Sequence, residues 1–145
     1  MKKRELNTFS QKIKVKSTTE NLSIIRDFIQ DTASASGFGR DAVDKIILAV
    51  DEASTNIIKH AYKYNPEKEI EIKVTLSSGK FTIEIIDSGN SFDPDSVHDP
   101  DIRKYFKERK VGGLGIFLMK KLMDDVKYDT LKNHRNKVTL IKNVS

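Results

Sequence analysis

Residues 70–89 read IEIKVTLSSGKFTIEIIDSG, and this stretch decides the class of fold. Apolar and polar side chains alternate on both sides of the short connection Ser77-Ser78-Gly79-Lys80. Alternation with a period of two is typical of strands that bury one face, and a short connection containing glycine is typical of a hairpin. The stretch therefore predicts a β-hairpin with one face in the core.

The chain before this hairpin predicts one strand and two helices. Alternation from Phe9 to Val15 indicates a half-exposed strand, and Ser17 and Glu20 have the spacing of a capping box. The first helix is expected to end near Gly37, and the second to run from about residue 40 to the turn at residues 64–67. Its buried stripe is predicted to contain Val43, Ile46, Ile47, Val50, Ala53, Ile57 and Ala61.

The chain after the hairpin predicts a long loop, a helix and two strands. Residues 87–110 lack periodicity, and a loop of this length in a compact domain is usually functional or disordered. A helix is expected from Leu114, followed by short strands at residues 126–128 and 138–140. We therefore predict one α+β domain spanning residues 1–145, a two-layer sandwich of a mixed, mostly antiparallel sheet covered on one face by helices.

Composition narrows the classes of function. The chain has 145 residues and no cysteine, so disulfides and thiolate metal sites are excluded. No apolar run approaches the roughly 20 residues that span a bilayer, and the basic N-terminus lacks the apolar segment of a secretory signal. We therefore expect a cytoplasmic protein without a membrane partner. The formal charge of +5 arises from 26 basic and 21 acidic residues that are interleaved, as on a solvated surface.

Two polar clusters that lie on predicted secondary structure could bind a ligand. Glu52 and Asn56 lie four residues apart on the second predicted helix, so they share one face, where they could hold a divalent cation and orient a hydroxyl. Asp87 and Gly89 follow the second hairpin strand directly. A carboxylate there can accept a hydrogen bond from an amine, and glycine permits close approach of the backbone. Either cluster alone could equally be a solvated helix edge or an ordinary turn.

A third cluster, Gly112-Gly113-Leu114-Gly115, opens the third predicted helix. Glycines let the backbone N–H groups turn towards an anion, and a helix N-terminus adds a favourable partial charge. Arg109 and Lys110 stand directly before it, where a cation could meet phosphate oxygens. The spacing is neither that of a Walker loop nor that of a dinucleotide fingerprint. By itself the cluster could be a glycine-rich helix start without a ligand.

The order of these clusters resembles the GHKL (histidine-kinase-like) ATPase superfamily, which has the Bergerat fold. Within it, the chain is most similar to small anti-sigma-factor serine kinases of RsbW type. Four stretches contain the resemblance: Leu48–Tyr62, Ile86–Pro94, Gly112–Leu118 and Leu122–Asp124. With the hairpin and flanking elements, the resemblance covers nearly the whole chain. It departs from the family at residues 135–138, where members often have a Gly-Thr pair leading into the last strand.

The resemblance implies an ATP site with Mg²⁺. Asn56 would coordinate the magnesium ion, Asp87 would bind the adenine amine with Gly89 beside it, and Glu52 would be the general base. The phosphate side would be formed by the glycine-rich segment and the basic residue before it: Lys110 (or Arg109), Gly113, Leu114 and Gly115. Residues 93–110 would form a lid.

The resemblance also implies partners. The protein would hold a sigma factor, would phosphorylate a small anti-sigma antagonist to prevent its own capture, and would form a homodimer. A non-catalytic switch, in which ATP orders a partner surface, needs the same pocket and stays open as an alternative. A nucleic-acid binder is a third hypothesis, based on the net charge and on the basic stretch Lys2-Lys3-Arg4, and it leaves all three clusters unexplained. We expect no direct nucleic-acid partner.

Overall fold

The computed structural model describes residues 8–89 and 117–144. The strands that it describes form one sheet with the order β1-β2-β3-β5-β4, and every pairing among them is antiparallel. The strand bounds are β1, Phe9–Lys16; β2, Glu69–Ser77; β3, Lys80–Asp87; β4, Asp125–Leu131; and β5, Arg135–Asn143. Helices pack on one face of this sheet, which confirms the predicted α+β sandwich.

The β2–β3 hairpin forms as its alternation predicts. Ser77 pairs with Lys80, and the two residues between them, Ser78 and Gly79, have φ values of 53° and 72°. Two left-handed residues in a two-residue connection match the right-handed twist of the strands. The buried face of the hairpin consists of Ile70, Ile72, Val74, Leu76, Phe81, Ile83 and Ile85. The opposite face is polar apart from Ile86.

Two helices, α1 (Leu22–Ala35) and α2 (Arg40–Asn56), cover this apolar face. Their buried stripes include Ile25 and Ile29 from α1 and Ile46 and Val50 from α2. Gly37, with φ 98°, ends α1 where the sequence predicted. The predicted capping box is wrong. A 3₁₀ turn at Thr19–Asn21 leads into α1 without a side-chain cap, and the buried Ser17 hydroxyl has no hydrogen-bond partner within residues 8–89 and 117–144.

The second helix changes its winding before it stops. After Asn56 the chain continues as a π-helical turn over Ile57–Ala61, in which Tyr62 N–H donates to the Ile57 carbonyl at 2.9 Å. Ile57 and Ile58 are both buried, like the adjacent pairs at 49–50 and 53–54 of α2, whereas the predicted stripe included only Ile57. The extra residue in the turn explains why Tyr62 is buried and why Ala61, a predicted stripe residue, is only partly buried. Such turns often occur at functional sites.

The C-terminal part adds a helix and a second hairpin to the sandwich. Helix α3 is described over residues 117–122, and Met119 and Met123 anchor it and the following turn in the core. Strands β4 and β5 are longer than the two short strands that the sequence predicted. Within the described residues, no helix combines the length and the apolar composition needed to span a membrane.

Candidate functional site

Glu52 and Asn56 lie one turn apart on α2, and both side chains are half-buried. The neighbouring carboxylate, Asp51, is already engaged, because its Oδ1 accepts a hydrogen bond from Arg26 Nε at 2.8 Å. That contact raises the pKa of Arg26, first through the hydrogen bond and then through the charge of Asp51. Within the described residues, neither Glu52 nor Asn56 forms a side-chain hydrogen bond.

The π turn joins this helix to the end of β3. Tyr62, which is only 5% exposed, accepts a hydrogen bond from Ser88 N–H at 2.7 Å and donates its own proton to the Glu69 carbonyl. Burial raises the pKa of the Tyr62 phenol, although hydrogen bonding with Ser88 opposes this shift. The phenol thereby ties the helix end to the turn after β3 and to the start of β2.

Asp87, Ser88 and Gly89 form a tight turn at the end of β3. Asp87 is 7% exposed, and its Oδ1 accepts hydrogen bonds from Gly89 N–H at 3.0 Å and Asn136 Nδ2 at 3.1 Å. Burial raises the pKa of the Asp87 carboxyl, and the two hydrogen bonds partly offset that rise. The turn thus presents a buried carboxylate whose charge is supported by two donors.

Gly89 packs against the π turn so closely that no side chain fits. A Cβ atom built there would lie 2.7 Å from the Ala61 carbonyl oxygen and 2.9 Å from the Ala61 Cβ. The physical need for glycine at this position is therefore close approach, as the sequence predicted in general terms. The sequence predicted approach to a ligand, whereas the structure shows approach to the neighbouring helical turn.

Removing the Tyr62 hydroxyl is expected to loosen this junction. In Tyr62→Phe, Ser88 N–H and the Glu69 carbonyl lose their partner in a partly buried setting, which should lower the free energy of unfolding by about 1–3 kcal/mol. Urea unfolding at equilibrium measures the change. Tyr64→Phe is the matched control, because Tyr64 is 58% exposed, and it should differ from the parent by less than about 0.5 kcal/mol. Equal stability of the two variants would contradict a stabilising role of the Tyr62 hydroxyl at this junction.

Comparison with known proteins decides the family. Residues 15–142 match the family of histidine kinase-like ATPase domains. The chain is 35% identical over 112 residues to the serine-protein kinase RsbW of Listeria monocytogenes serovar 1/2a, covering 74% of this chain and 71% of the relative. It belongs to the histidine kinase-like ATPase family. Its relatives place it among the RsbW-type serine-protein kinases.

Further comparisons agree with this membership. The RsbW of Bacillus subtilis strain 168 is 34% identical over 127 residues, covering 84% of this chain and 77% of the relative. A Mycobacterium tuberculosis structure of RsbU and RsbW domains matches with a TM-score of 0.66 at 14% identity, over 93% of this chain and 32% of that one. The SiaB–SiaC complex of Pseudomonas aeruginosa matches with a TM-score of 0.63 at 10% identity, over 97% of this chain and 90% of that one. The two structures support the fold.

The structure describes only part of the site predicted for this RsbW-type chain. Asp87 and Gly89 are brought against the turn that continues from Glu52 and Asn56. The predicted lid at residues 93–110 lies outside the described residues. The phosphate-side residues also lie outside them: Lys110, the alternative Arg109, Gly113, Leu114 and Gly115.

Two contacts of the site were missed from the sequence. Tyr62 lay in the stretch that resembles the family, but nothing in its spacing indicated that its hydroxyl would bond Ser88. Asn136 was noted only as a departure from a Gly-Thr pair. Its pairing with Asp87 across β3 and β5 depends on strand register. An asparagine at the start of a strand that neighbours a strand-end aspartate was the available signal.

Proposed function

We propose that this chain binds ATP at the Asp87–Gly89 turn and transfers its γ-phosphoryl group to a serine or threonine of a small anti-sigma antagonist. One observation supports this most directly. A buried carboxylate at the end of β3 is packed beside the helical run that presents Glu52 and Asn56. A nucleotide needs a specific acceptor for its base and polar groups for its phosphates, and these two elements supply both at neighbouring places.

The base and the phosphates would meet different parts of the chain. Asp87 accepts a hydrogen bond from the exocyclic amine of adenine, next to Gly89. Gly113, Leu114 and Gly115 would supply backbone N–H groups to the phosphates, and Lys110 would add a positive charge. These phosphate-side roles rest on the family's motif and on the chemistry of the residue types.

Magnesium is the cation that we assign to Asn56. Within the described residues, no group of three or more His, Cys, Asp or Glu side chains is placed to hold a metal ion. A single amide oxygen suits Mg²⁺, which commonly keeps waters and shares its coordination between one or two protein oxygens and the phosphates of a substrate. The half-buried Asn56 side chain, without a hydrogen bond to the described residues, fits that role. The ion would neutralise charge on the phosphates.

Glu52 is the base in this proposal. Its carboxylate accepts the proton of the attacking hydroxyl while the new oxygen–phosphorus bond forms and the bond to the leaving diphosphate breaks. Asp51, the adjacent carboxylate, bonds Arg26, whereas Glu52 shares a helix face with Asn56. Proton transfer requires that the substrate hydroxyl reach Glu52, one helical turn before Asn56.

The partners follow from the relatives. The chain has relatives that are named serine-protein kinase RsbW, and one structural neighbour is a complex of SiaB with SiaC. We propose that the antagonist binds transiently as substrate, that a sigma factor is held when the antagonist is phosphorylated, and that the kinase is a cytoplasmic homodimer. Neither nucleic acid nor membrane is a direct partner in this scheme.

Asp87→Asn tests the nucleotide site. Replacing the carboxylate by an amide removes a charged acceptor, so ATP affinity should fall about 10- to 100-fold in calorimetric titration with Mg²⁺ present. Transfer of labelled phosphate from ATP to the antagonist should fall in parallel when ATP is limiting. Asp31→Asn, an exposed aspartate on α1, serves as control and should match the parent in both measurements.

The same measurements separate the competing functions. Unchanged ATP affinity in Asp87→Asn would remove the adenine contact from the proposal. Tight ATP binding with no transfer to the antagonist would favour the non-catalytic switch. Salt-sensitive DNA or RNA binding that survives Asp87→Asn would favour the nucleic-acid binder.

A further inference from the structure

Asn136 is the only side chain among the described residues that donates a hydrogen bond to the Asp87 carboxylate. Strand register pairs the two residues across β3 and β5, so their side chains emerge on the same face of the sheet. The amide nitrogen of Asn136 lies 3.1 Å from Asp87 Oδ1. The contact joins residues 49 positions apart in the sequence. It is therefore a product of the fold, not of local turn chemistry.

The two oxygens of Asp87 have different surroundings. Oδ1 accepts from two donors, Asn136 Nδ2 and Gly89 N–H. Within residues 8–89 and 117–144, no donor bonds Oδ2. A carboxylate rotates easily about its terminal bond, so donors that hold one oxygen also direct the other. The arrangement leaves Oδ2 as the oxygen that can accept a hydrogen bond from a ligand.

We propose that Asn136 is a positioning residue, which holds the Asp87 carboxylate so that Oδ2 selects a base with an exocyclic amine at the purine 6-position. The proposal rests on the ATP site proposed above. A 6-oxo base such as guanine would set an acceptor against this acceptor, and a base without a 6-substituent would leave Oδ2 unbonded. Selectivity for the amine therefore depends on Asn136, although Asn136 need not touch the nucleotide.

Asn136 also supports the ionised form of Asp87. Burial raises the pKa of this carboxyl, and the hydrogen bond from Asn136 lowers it. No cation among the described residues pairs with Asp87. Lys137 projects to the opposite sheet face, where it bonds Glu84 at 3.0 Å. Among the described residues, Lys59 and His60 of the π turn form no hydrogen bond or ion pair with Asp87, and Tyr62, which follows that turn, is an uncharged phenol. The two N–H donors are thus the groups that stabilise its charge.

ATP affinity is expected to depend on the ionisation of Asp87. A ligand amine needs the ionised carboxylate, so ATP affinity declines when the pH falls through the raised pKa of Asp87. Removal of the Asn136 N–H raises that pKa further, and the decline then begins at higher pH. An asparagine that only stabilised the strand pairing would leave this acid limb unchanged.

The test compares ATP with the triphosphate of purine riboside, which lacks only the 6-amino group. Calorimetric titrations use the full-length chain with Mg²⁺, and the variants are Asn136→Leu, which has no donor, and Asn136→Thr, which keeps a hydroxyl donor. In Asn136→Leu, the preference for ATP over the deamino analogue should fall about tenfold. Asn136→Thr should recover part of the preference. Arg135→Gln changes the neighbouring side chain on the opposite face and should leave the preference unchanged.

The deamino analogue also reports on folding. If Asn136→Leu binds the analogue as well as the parent does, the pocket is intact, and a lost preference then reflects the position of Asp87. An unchanged preference together with an unchanged acid limb in Asn136→Leu would overturn the positioning role while leaving ATP binding standing. If the parent chain binds neither triphosphate, the proposed ATP site itself fails. If Asn136→Leu does not fold, Asn136→Thr decides: a parental preference for ATP together with an unshifted acid limb would overturn the role.

Discussion

Glu52→Gln is expected to lose phosphoryl transfer to the antagonist by about 10²- to 10⁴-fold while ATP binding changes by less than about threefold. Glutamine keeps the length and polarity of the side chain but cannot accept the proton of the attacking hydroxyl. Nucleotide binding does not require that proton acceptor. The loss should therefore appear in the rate of transfer at saturating ATP, and not in the affinity for ATP.

Single-turnover transfer of labelled phosphate, with ATP and antagonist in excess of their dissociation constants, measures the effect. Asp51→Asn is the matched control, because this adjacent carboxylate is held by Arg26 at 2.8 Å. It should retain transfer within about threefold, because a partly exposed ion pair contributes little to stability. Transfer by Glu52→Gln and Glu52→Ala at the parental rate would exclude Glu52 as the base.

Gly89→Ala is expected to lower the free energy of unfolding by about 2–3 kcal/mol and to weaken ATP binding by at least about 100-fold. The new Cβ would lie 2.7 Å from the Ala61 carbonyl oxygen, which belongs to backbone and cannot rotate away. The turn after β3 and the π turn must therefore separate. Their separation displaces Asp87 and breaks the bond from Ser88 N–H to Tyr62.

Equilibrium urea unfolding and ATP titration on the same preparation test this prediction. Gly39→Ala is the control, because its added Cβ would meet nothing within 4 Å and its φ of −73° suits any residue. Gly39 caps α2, so we expect a change of less than about 1 kcal/mol there. A parental affinity for ATP in Gly89→Ala would show that the contact with Ala61 does not shape the pocket.

The elements of this fold could be predicted because each has a local pattern. The alternation on both sides of Ser78-Gly79 requires a hairpin with one apolar face, and the helical stripe from Val43 to Ile57 requires a partner layer. The capping-box prediction was wrong for a reason that lies outside its local pattern. Tertiary packing buries Ser17, and a 3₁₀ turn then starts the helix without its hydroxyl.

The site was predictable in its residue types and less so in its contacts. Glu52, Asn56, Asp87 and Gly89 were identified by order and resemblance, and their catalytic and binding roles stay predictions. The π turn could not be read from periodicity, because one extra residue in a turn changes the winding without changing the apolar content. Tyr62 and Asn136 could be assigned to the site only from the folded structure, in which the strand and helix ends lie together.

The sequence by itself determined the alternating strands, the two amphipathic helices and the family, because these depend on periodicity and on motifs within short segments. The tertiary structure alone decided which atoms surround Asp87. Ser88 meets Tyr62 across 26 positions, and Asn136 meets Asp87 across 49. Such contacts depend on strand register and on how a helix end docks against a sheet, and long-range packing sets both. For that reason the acceptor left open on Asp87 could be recognised only in the folded chain.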